Sequence, residues 1–286
     1  MKKSLQLITL LLLSLSCFAK GANFNIITFN VKWFGLGGEM AGAIGDEYRS
    51  RWIKEYLETN FPNTKGILFQ EIVDISALNE MMDDLNMSCI SYDHSKKKHQ
   101  HIALCLDNDY ELLKENSDDN FILEEVDVTN GWLRPAIHGI VSYRKSQKKL
   151  FHIIGLHLKA NNSDSKTRIK QINIVKESID KIQDNIPVVV LGDFNSYGTD
   201  VQEFETILSK ANLGKVKHNY KYSFKSRSNR LLLDHAWLSK GLEYSDVVIG
   251  KTCNIYSKRA TRFANSSFYN RFVSDHCPLS FKLIFK

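Results

Sequence analysis

In this sequence, residues able to do acid–base or metal chemistry recur where an apolar β-type run stops. Ile26-Ile27-Thr28-Phe29 ends in Asn30, and Ile67-Leu68-Phe69 runs into Gln70-Glu71. Ile153-Ile154-Gly155-Leu156 ends in His157, and Val188-Val189-Val190-Leu191-Gly192 ends in Asp193-Phe194-Asn195-Ser196. Near the C-terminus the order inverts: Ser274-Asp275-His276 precedes the run from Pro278 to Phe285, and an antiparallel neighbour would bring its start to the rim where the others end. Asp234 lies between Leu231-Leu232-Leu233 and His235-Ala236-Trp237-Leu238, a setting in which an acid should be partnered rather than solvated. One strand-terminal Asn or Asp is usually just a turn former. A set with complementary chemistry is harder to dismiss. The oxygen donors Asn30, Glu71 and Asp275 suit a hard cation such as Mg²⁺, which keeps several waters. His157 and His276 suit proton transfer near neutral pH.

The elements that must position these residues are short β-runs alternating with helical patterns. Strands are expected over Phe24–Phe29, Gly66–Phe69, Cys89–Tyr92, Ile102–Leu106, Ile137–Tyr143, Leu150–His157, Val188–Leu191, Leu231–Leu238 and Leu279–Phe285. Several are apolar at every position, as in strands covered on both faces. The best helix is Ser165–Ile182, where Ile169, Ile172, Val175, Ile179 and Ile182 form one stripe; weaker helices cover Tyr48–Thr59, Ser76–Asp84 and Val201–Ala211. Consecutive β-runs between Cys89 and His157 disfavour a purely alternating Rossmann or barrel plan and favour mixed sheets with helices outside. The glycines from Gly35 to Gly45 lack a following Lys-Ser/Thr, so they form no phosphate-cradling loop and read as a loop over the rim. His235 and His152 fall on other strand faces than the candidate residues and read as structural.

The series TFNVKWFG, FQEI, LRPAI, GLHLK, GDFNS, LLLDHAWLS and SDHCPL resembles the endonuclease/exonuclease/phosphatase superfamily, which includes deoxyribonuclease I, apurinic endonucleases, inositol polyphosphate phosphatases and bacterial sphingomyelinases. The match in order and spacing runs from about Asn23 to the C-terminus, and GDFNS with SDHCPL is its specific part. The resemblance implies a four-layer α/β/β/α sandwich of two mixed, mostly antiparallel sheets with outer helices. It implies Glu71 as the principal metal ligand with Asn30 and Asp275 close to the ion, Asp193 and Asn195 orienting water and phosphate, and His276 held by Asp234. His157 would be the second catalytic histidine and Arg134 a phosphate grip. Mg²⁺ is the expected cofactor, with Mn²⁺ or Ca²⁺ as substitutes.

The chain has 286 residues and a formal charge of +6. With 43% hydrophobic and 24% charged residues it reads as globular, and 4 Pro and 15 Gly exclude a collagenous or low-complexity chain. Its only long apolar run is N-terminal, which excludes a multi-span membrane protein. Lys2 and Lys3, the apolar stretch Leu5–Leu15 and Cys17-Phe18-Ala19 read as an export signal over residues 1–19, so residues 20–286 are expected to form one exported, monomeric domain, periplasmic or extracellular. Export permits disulfides. Cys89 with Cys105, across a hairpin tipped by His94–His99, and Cys253 with Cys277 are one possible pairing, and buried free thiols are the other reading.

No acid lies between Glu205 and Asp234, where Lys215, Lys217, Lys221, Lys225, Arg227 and Arg230 are interleaved with Tyr220, Tyr222 and Phe224. A second acid-free stretch from Asp246 to Asp275 carries Lys251, Lys258, Arg259, Arg262 and Arg271 with Tyr256, Phe263, Phe268, Tyr269 and Phe272. Both lead into candidate site residues, which favours a polyanion and makes nucleic acid, DNA first, the expected substrate. Solvated loops are the bland alternative. A sphingomyelin or phospholipid phosphodiesterase, with Phe263–Phe272 as a membrane-touching loop, an inositide phosphatase, and an inactive binder on the same fold are the competing readings.

Overall fold

Alternating apolar runs and amphipathic stripes fold here into two packed sheets. The structure is a computed structural model that describes residues 23–37, 45–92, 100–114, 121–129, 131–226, 228–254, 263 and 265–286. The expected signal segment, the His94–His99 hairpin tip, part of the Gly35–Gly45 loop, Arg227, Tyr256, Lys258, Arg259 and Arg262 lie outside the described residues. In chain order the elements are β1 (Asn23–Phe34), α1 (Asp46–Asn60), β2 (Gly66–Ile72), α2 (Ile75–Asp83), β3 (Met87–Ser91), β4 (His101–Asp107), β5 (Tyr110–Leu113), β6 (Ile122–Leu123), β7 (Ala136–Tyr143) and β8 (Lys149–His157). There follow α3 (Ser165–Asp180), β9 (Val188–Asp193), α4 (Asp200–Lys210), β10 (Leu213–Lys215), β11 (Phe224–Lys225), β12 (Arg230–Leu231), β13 (Asp234–Ser239), β14 (Glu243–Ile249), α5 (Ser266–Phe272) and β15 (Leu279–Ile284).

One sheet has the order β14-β15-β1-β2-β4-β3 and the other β10-β13-β9-β8-β7-β5, with β6 beside β7. Each contains one parallel pair, β1 with β2 and β8 with β9, and the remaining pairs are antiparallel. The larger apolar cluster joins the inner faces through Phe24, Ile26, Leu68, Ile153, Val189 and Leu191 and continues under α1 and α2. A second cluster seats Ile172, Val175 and Ile179 of α3 and Phe204 and Leu208 of α4 on the outer face of the other sheet, against Ile154, Val190 and Trp237. The result is the expected helix–sheet–sheet–helix sandwich.

Besides the short elements β5, β6, β10, β11 and α5, which the sequence reading lacks, three details depart from it. The Leu231–Leu238 strand is broken, because the Leu233 and Asp234 N–H groups donate to Ser223 Oγ at 2.9 and 3.0 Å instead of to a neighbouring strand. β14 went unread because it is a half-exposed edge strand with little apolar alternation. The strand-end polar residues belong to the strands themselves, so β1, β2 and β9 run on past Phe29, Phe69 and Leu191. Both disulfides form, Cys89 directly opposite Cys105 in the β3–β4 register and Cys253 bonded to Cys277.

Candidate active site

Register alone lines up part of the site. His157 on β8 is opposite Asp193 on β9, which is opposite Asp234 on β13, so three neighbouring strands offer three functional side chains in one row. Across the sandwich, β1 brings Asn30 to the same rim, and antiparallel β15 brings the preceding residues Ser274–His276 there: Ser274 Oγ donates to Asn30 O at 2.7 Å and accepts from the His276 N–H at 3.0 Å. Glu71 interrupts the β2 ladder with φ +63°, while Lys32 and Trp33 in β1 have φ +47° and +52°. Such bulges re-aim side chains, and a non-glycine residue held there stores strain of about 1–3 kcal/mol that the surroundings must enforce. Here the enforcement is visible: Trp33 N–H donates to Glu71 Oε2 at 3.1 Å and Lys32 N–H to Asn30 Oδ1 at 2.9 Å.

Asn30 joins the two sheets. Its Nδ2 donates to Glu71 Oε1 at 3.0 Å and to Asp193 Oδ2 at 2.9 Å. Asp193 Oδ2 also lies 3.7 Å from the Nε2 atoms of both His157 and His276, and His157 Nε2 is 3.9 Å from Glu71 Oε1. His276 Nδ1 bonds Asp234 Oδ2 at 2.9 Å. Asn195, with φ +45°, donates its own N–H to Asp193 Oδ1 at 2.9 Å and its Nδ2 to Leu158 O at 3.1 Å. The structure thus brings Asn30, Glu71, His157, Asp193, Asn195, Asp234 and His276 together. Asp275 sits at the edge, 3.4 Å from Lys32 Nζ, with its field reaching Glu71 and His276. Arg134 is held against the rim, donating to His157 O and Leu158 O at 3.3 Å and to Gln100 Oε1 at 3.2 Å, so it braces the end of β8 as well as lending charge.

Burial sets the protonation states. It works against a charged His276, yet Asp234, Asp193, the Asp234 hydrogen bond and Asp275 together raise that ring to about 10. His157 has no such partner, and burial with nearby Arg134 and His276 takes it well below its ordinary value. Burial pushes Asp193 up to about 7 and also raises Glu71. The rim therefore holds an imidazolium, a neutral imidazole and a carboxyl poised near neutrality.

Asp193, Asp234 and His276 offer ligand atoms within 4.8 Å of one another. Asp234 and His276 are nevertheless already bonded to each other, and an imidazolium cannot coordinate. Glu71 fits a hard cation better. Each of its oxygens accepts one hydrogen bond and keeps a lone pair, and Asp275 supplies a second carboxylate at the same edge. Residues not foreseen also support the site: Ser223, which holds the start of β13; Ser274; Lys32; and Tyr269, whose hydroxyl donates to His276 O at 2.9 Å. Hydroxyls that bond backbone leave no mark in spacing. His235 and His152 are structural, bonded to Ser196 Oγ at 2.9 Å and Asp184 at 3.0 Å.

No protein-family model and no curated protein matches the sequence. Solved structures do. An endonuclease/exonuclease/phosphatase family protein from Bacteroides thetaiotaomicron aligns at TM-score 0.62 and 18% identity over 94% of this chain and all (100%) of its own. Bacteroides thetaiotaomicron mannosyl-6-phosphatase aligns at 0.62 and 19% over 92% and 100%. D. rerio TDP2 complexed with single strand DNA product aligns at 0.63 and 15% over 93% and 99%. With two mixed sheets face to face, helices outside and this set of overlaps, the chain has the deoxyribonuclease I-like fold of the endonuclease/exonuclease/phosphatase superfamily.

Proposed function

We propose that this protein is a divalent-metal-dependent phosphoester hydrolase whose substrate is the phosphodiester backbone of DNA, acting as an exported monomer. The observation that carries the hydrolase reading is the Asn30 bridge, which holds Glu71 and Asp193 from opposite sheets together, with Asp193 3.7 Å from both imidazoles and Glu71 3.9 Å from that of His157. Glu71 and Asp275, with Asn30 beside them, would hold Mg²⁺, which when bound relieves the negative charge that builds on the phosphoryl oxygens. Asp193, near 7, is suited to take the proton of an attacking water. His276, charged and fixed through Nδ1 by Asp234, presents Nε2 as the donor to the departing oxygen. Neutral His157 and the second Asn195 amide hydrogen remain for the phosphate.

Two observations favour DNA. Lys225 N–H donates to Asp275 O at 2.8 Å and Phe224 packs on His276 with ring centroids 5.0 Å apart, so the acid-free stretch borders the site. Phe263, Phe268 and Phe272 meanwhile pack around Trp52 of α1 at 6.4, 5.2 and 6.3 Å, so these half-buried rings are engaged with one another and α1, which speaks against a membrane-touching tip. The TDP2 structure with its DNA product agrees with this choice. Export rests on the N-terminal pattern and the paired cysteines; among the described residues no helix is long and apolar enough to cross a membrane. The deciding experiment is one panel of plasmid, RNA, sphingomyelin, inositol phosphates and bis(p-nitrophenyl) phosphate, with and without Mg²⁺. Magnesium-dependent cleavage of plasmid that is lost in His276→Ala is expected. Turnover of sphingomyelin with intact plasmid would overturn the DNA reading.

A further inference from the structure

Trp132 is 72% exposed, more than any other large hydrophobic side chain among the described residues. Trp237 is fully buried, and Trp33 and Trp52 are half-buried. Its exposure comes from a held loop. The Asp127 carboxylate accepts from Thr129 N at 3.1 Å, Thr129 Oγ1 at 2.7 Å, Leu133 N at 3.0 Å and Gly131 N, and Gly131 takes φ +99° to make the turn. Leu133 is buried, and Tyr92 Oη donates to Pro135 O at 3.1 Å, which seats the far side. The loop is thus anchored at residues 127, 133 and 135 while its indole faces solvent.

The position of this indole relates it to the rim. Trp132 and Arg134 are two residues apart, so their Cα atoms are separated by at most about 7 Å. Arg134 is bonded to the carbonyls that end β8, and its charge acts on Glu71 and Asp193. A flat aromatic face beside a cation at a phosphate site is the combination by which proteins hold single-stranded nucleic acid, a base on the ring and its phosphate on the charge. Among the described residues the adjoining Leu133 is turned inward and the other exposed large hydrophobic side chain, Tyr48, sits on α1, whereas a membrane anchor needs several apolar side chains on one face.

Resting on the phosphodiesterase reading above, we propose that Trp132 is a stacking platform for a nucleobase of the substrate strand, next to the phosphate held at Arg134. The test uses the full chain in EDTA, binding a short single-stranded oligodeoxynucleotide and the same strand made wholly abasic. Trp132→Ala should weaken binding of the base-bearing strand roughly tenfold, within the range of one base–aromatic stack, with Trp132→Phe recovering part of it. The abasic strand should bind wild type and Trp132→Ala alike. Equal binding of the base-bearing strand by wild type and Trp132→Ala overturns the proposal. So does an equal loss on both strands, which would mark a sugar or phosphate contact, or Trp132-dependent binding to sphingomyelin vesicles. Hydrolysis is scored separately with bis(p-nitrophenyl) phosphate and Mg²⁺: wild type inactive there but binding DNA through Trp132 sinks the hydrolase reading and leaves the platform standing.

Discussion

Replacing Asp234 by Asn keeps the size and reach of the side chain and removes one charge. Asp234 is the largest of the influences that raise His276, ahead of Asp193 and Asp275, while burial alone would drive the ring down, as it does at His157. A rise from 6.5 to about 10 corresponds to roughly 5 kcal/mol of preference for the imidazolium, at about 1.4 kcal/mol per unit. Both partners are almost wholly buried, so solvent screening removes little of it. In Asp234→Asn the His276 titration, followed by NMR in metal-free protein, should therefore fall by roughly two units or more. Rate should follow. At about pH 8 a midpoint of about 8 leaves about half the rings charged and one of about 6 leaves about 1%, so the variant should turn over bis(p-nitrophenyl) phosphate between about twofold and about 10²-fold more slowly than wild type. The deficit should shrink at about pH 6, where the ring again carries its proton. Stability gives a third readout. A folded-state pKa above the unfolded value contributes stability that is complete below 6.5 and lost as pH rises to about 10, so wild type should lose more stability across that window than the variant. An equal rate loss at both pH values, or a His276 midpoint still near 10, would refute the assignment of His276 as a charged donor held by Asp234.

Other perturbations give sharp expectations. Ser223→Ala strands the buried N–H groups of Leu233 and Asp234 and should cost about 1–3 kcal/mol by thermal denaturation; no loss would mean water or a rotated backbone takes its place. Arg168, fully buried, donates to Lys159 O at 3.0 Å, to Asn161 O at 2.6 Å and to Asp200 at 2.9 Å; Arg168→Met leaves the buried Asp200 without its countercharge, keeping only the Ser165 and Tyr197 donors, and should cost about 3 kcal/mol in urea unfolding. Removing the Cys253–Cys277 bridge by Cys253→Ser/Cys277→Ser opens a loop of sequence separation 24 and should lower stability by roughly 3 kcal/mol. Mg²⁺ should stabilise the protein more at about pH 8 than at about pH 5. Asp193, raised to about 7, and Glu71, also raised, hold protons more tightly in the folded protein, so they withhold stability as pH rises and a cation, which favours the ionised form, offsets more of that loss at about pH 8 than at about pH 5. A thermal shift of equal size at both pH values would contradict this.

The rim was legible because an apolar run that stops at Asn30, His157 or Asp193 can be seen without knowing its neighbours, and strand polarity then says which ends meet. Apart from the Asp234–His276 pair, which the family resemblance implied, the contacts that make the rim a site were not legible. Asn30 and Asp193 are 163 residues apart, and nothing in either segment says that one amide reaches across two sheets. The bulge at Glu71 was hidden for another reason: Gln70-Glu71 reads as a simple alternation, and only the register shift between Gln70 and Ile72 turns Glu71 inward. The aromatic stretch Phe263–Phe272 looked like a surface loop because its partner Trp52 lies on α1, far away in sequence. Local signals carried the elements; pairings across the sandwich carried the chemistry.

Those pairings also explain why position 30 is an amide. Glu71 and Asp193 come from different sheets and repel each other, yet both must stand at one rim. An Asp at position 30 would add a third charge and no donor. An Asn supplies two hydrogens on one nitrogen, one for each carboxylate at 3.0 and 2.9 Å, while its Oδ1 accepts the Lys32 N–H at 2.9 Å and fixes the amide orientation. Nearly all of its hydrogen-bonding capacity is engaged in this way. On the proposed reading Asn30 would serve toward a cation first as the spacer that aims Glu71, and the carboxylates of Glu71 and Asp275 would carry the charge. The arrangement leaves Asp193 and Glu71 short of compensation when no cation is bound, with both proton affinities raised by burial. A fold selected only for stability would remove that imbalance; a site that takes up a divalent ion and a water proton, as proposed above, would depend on it.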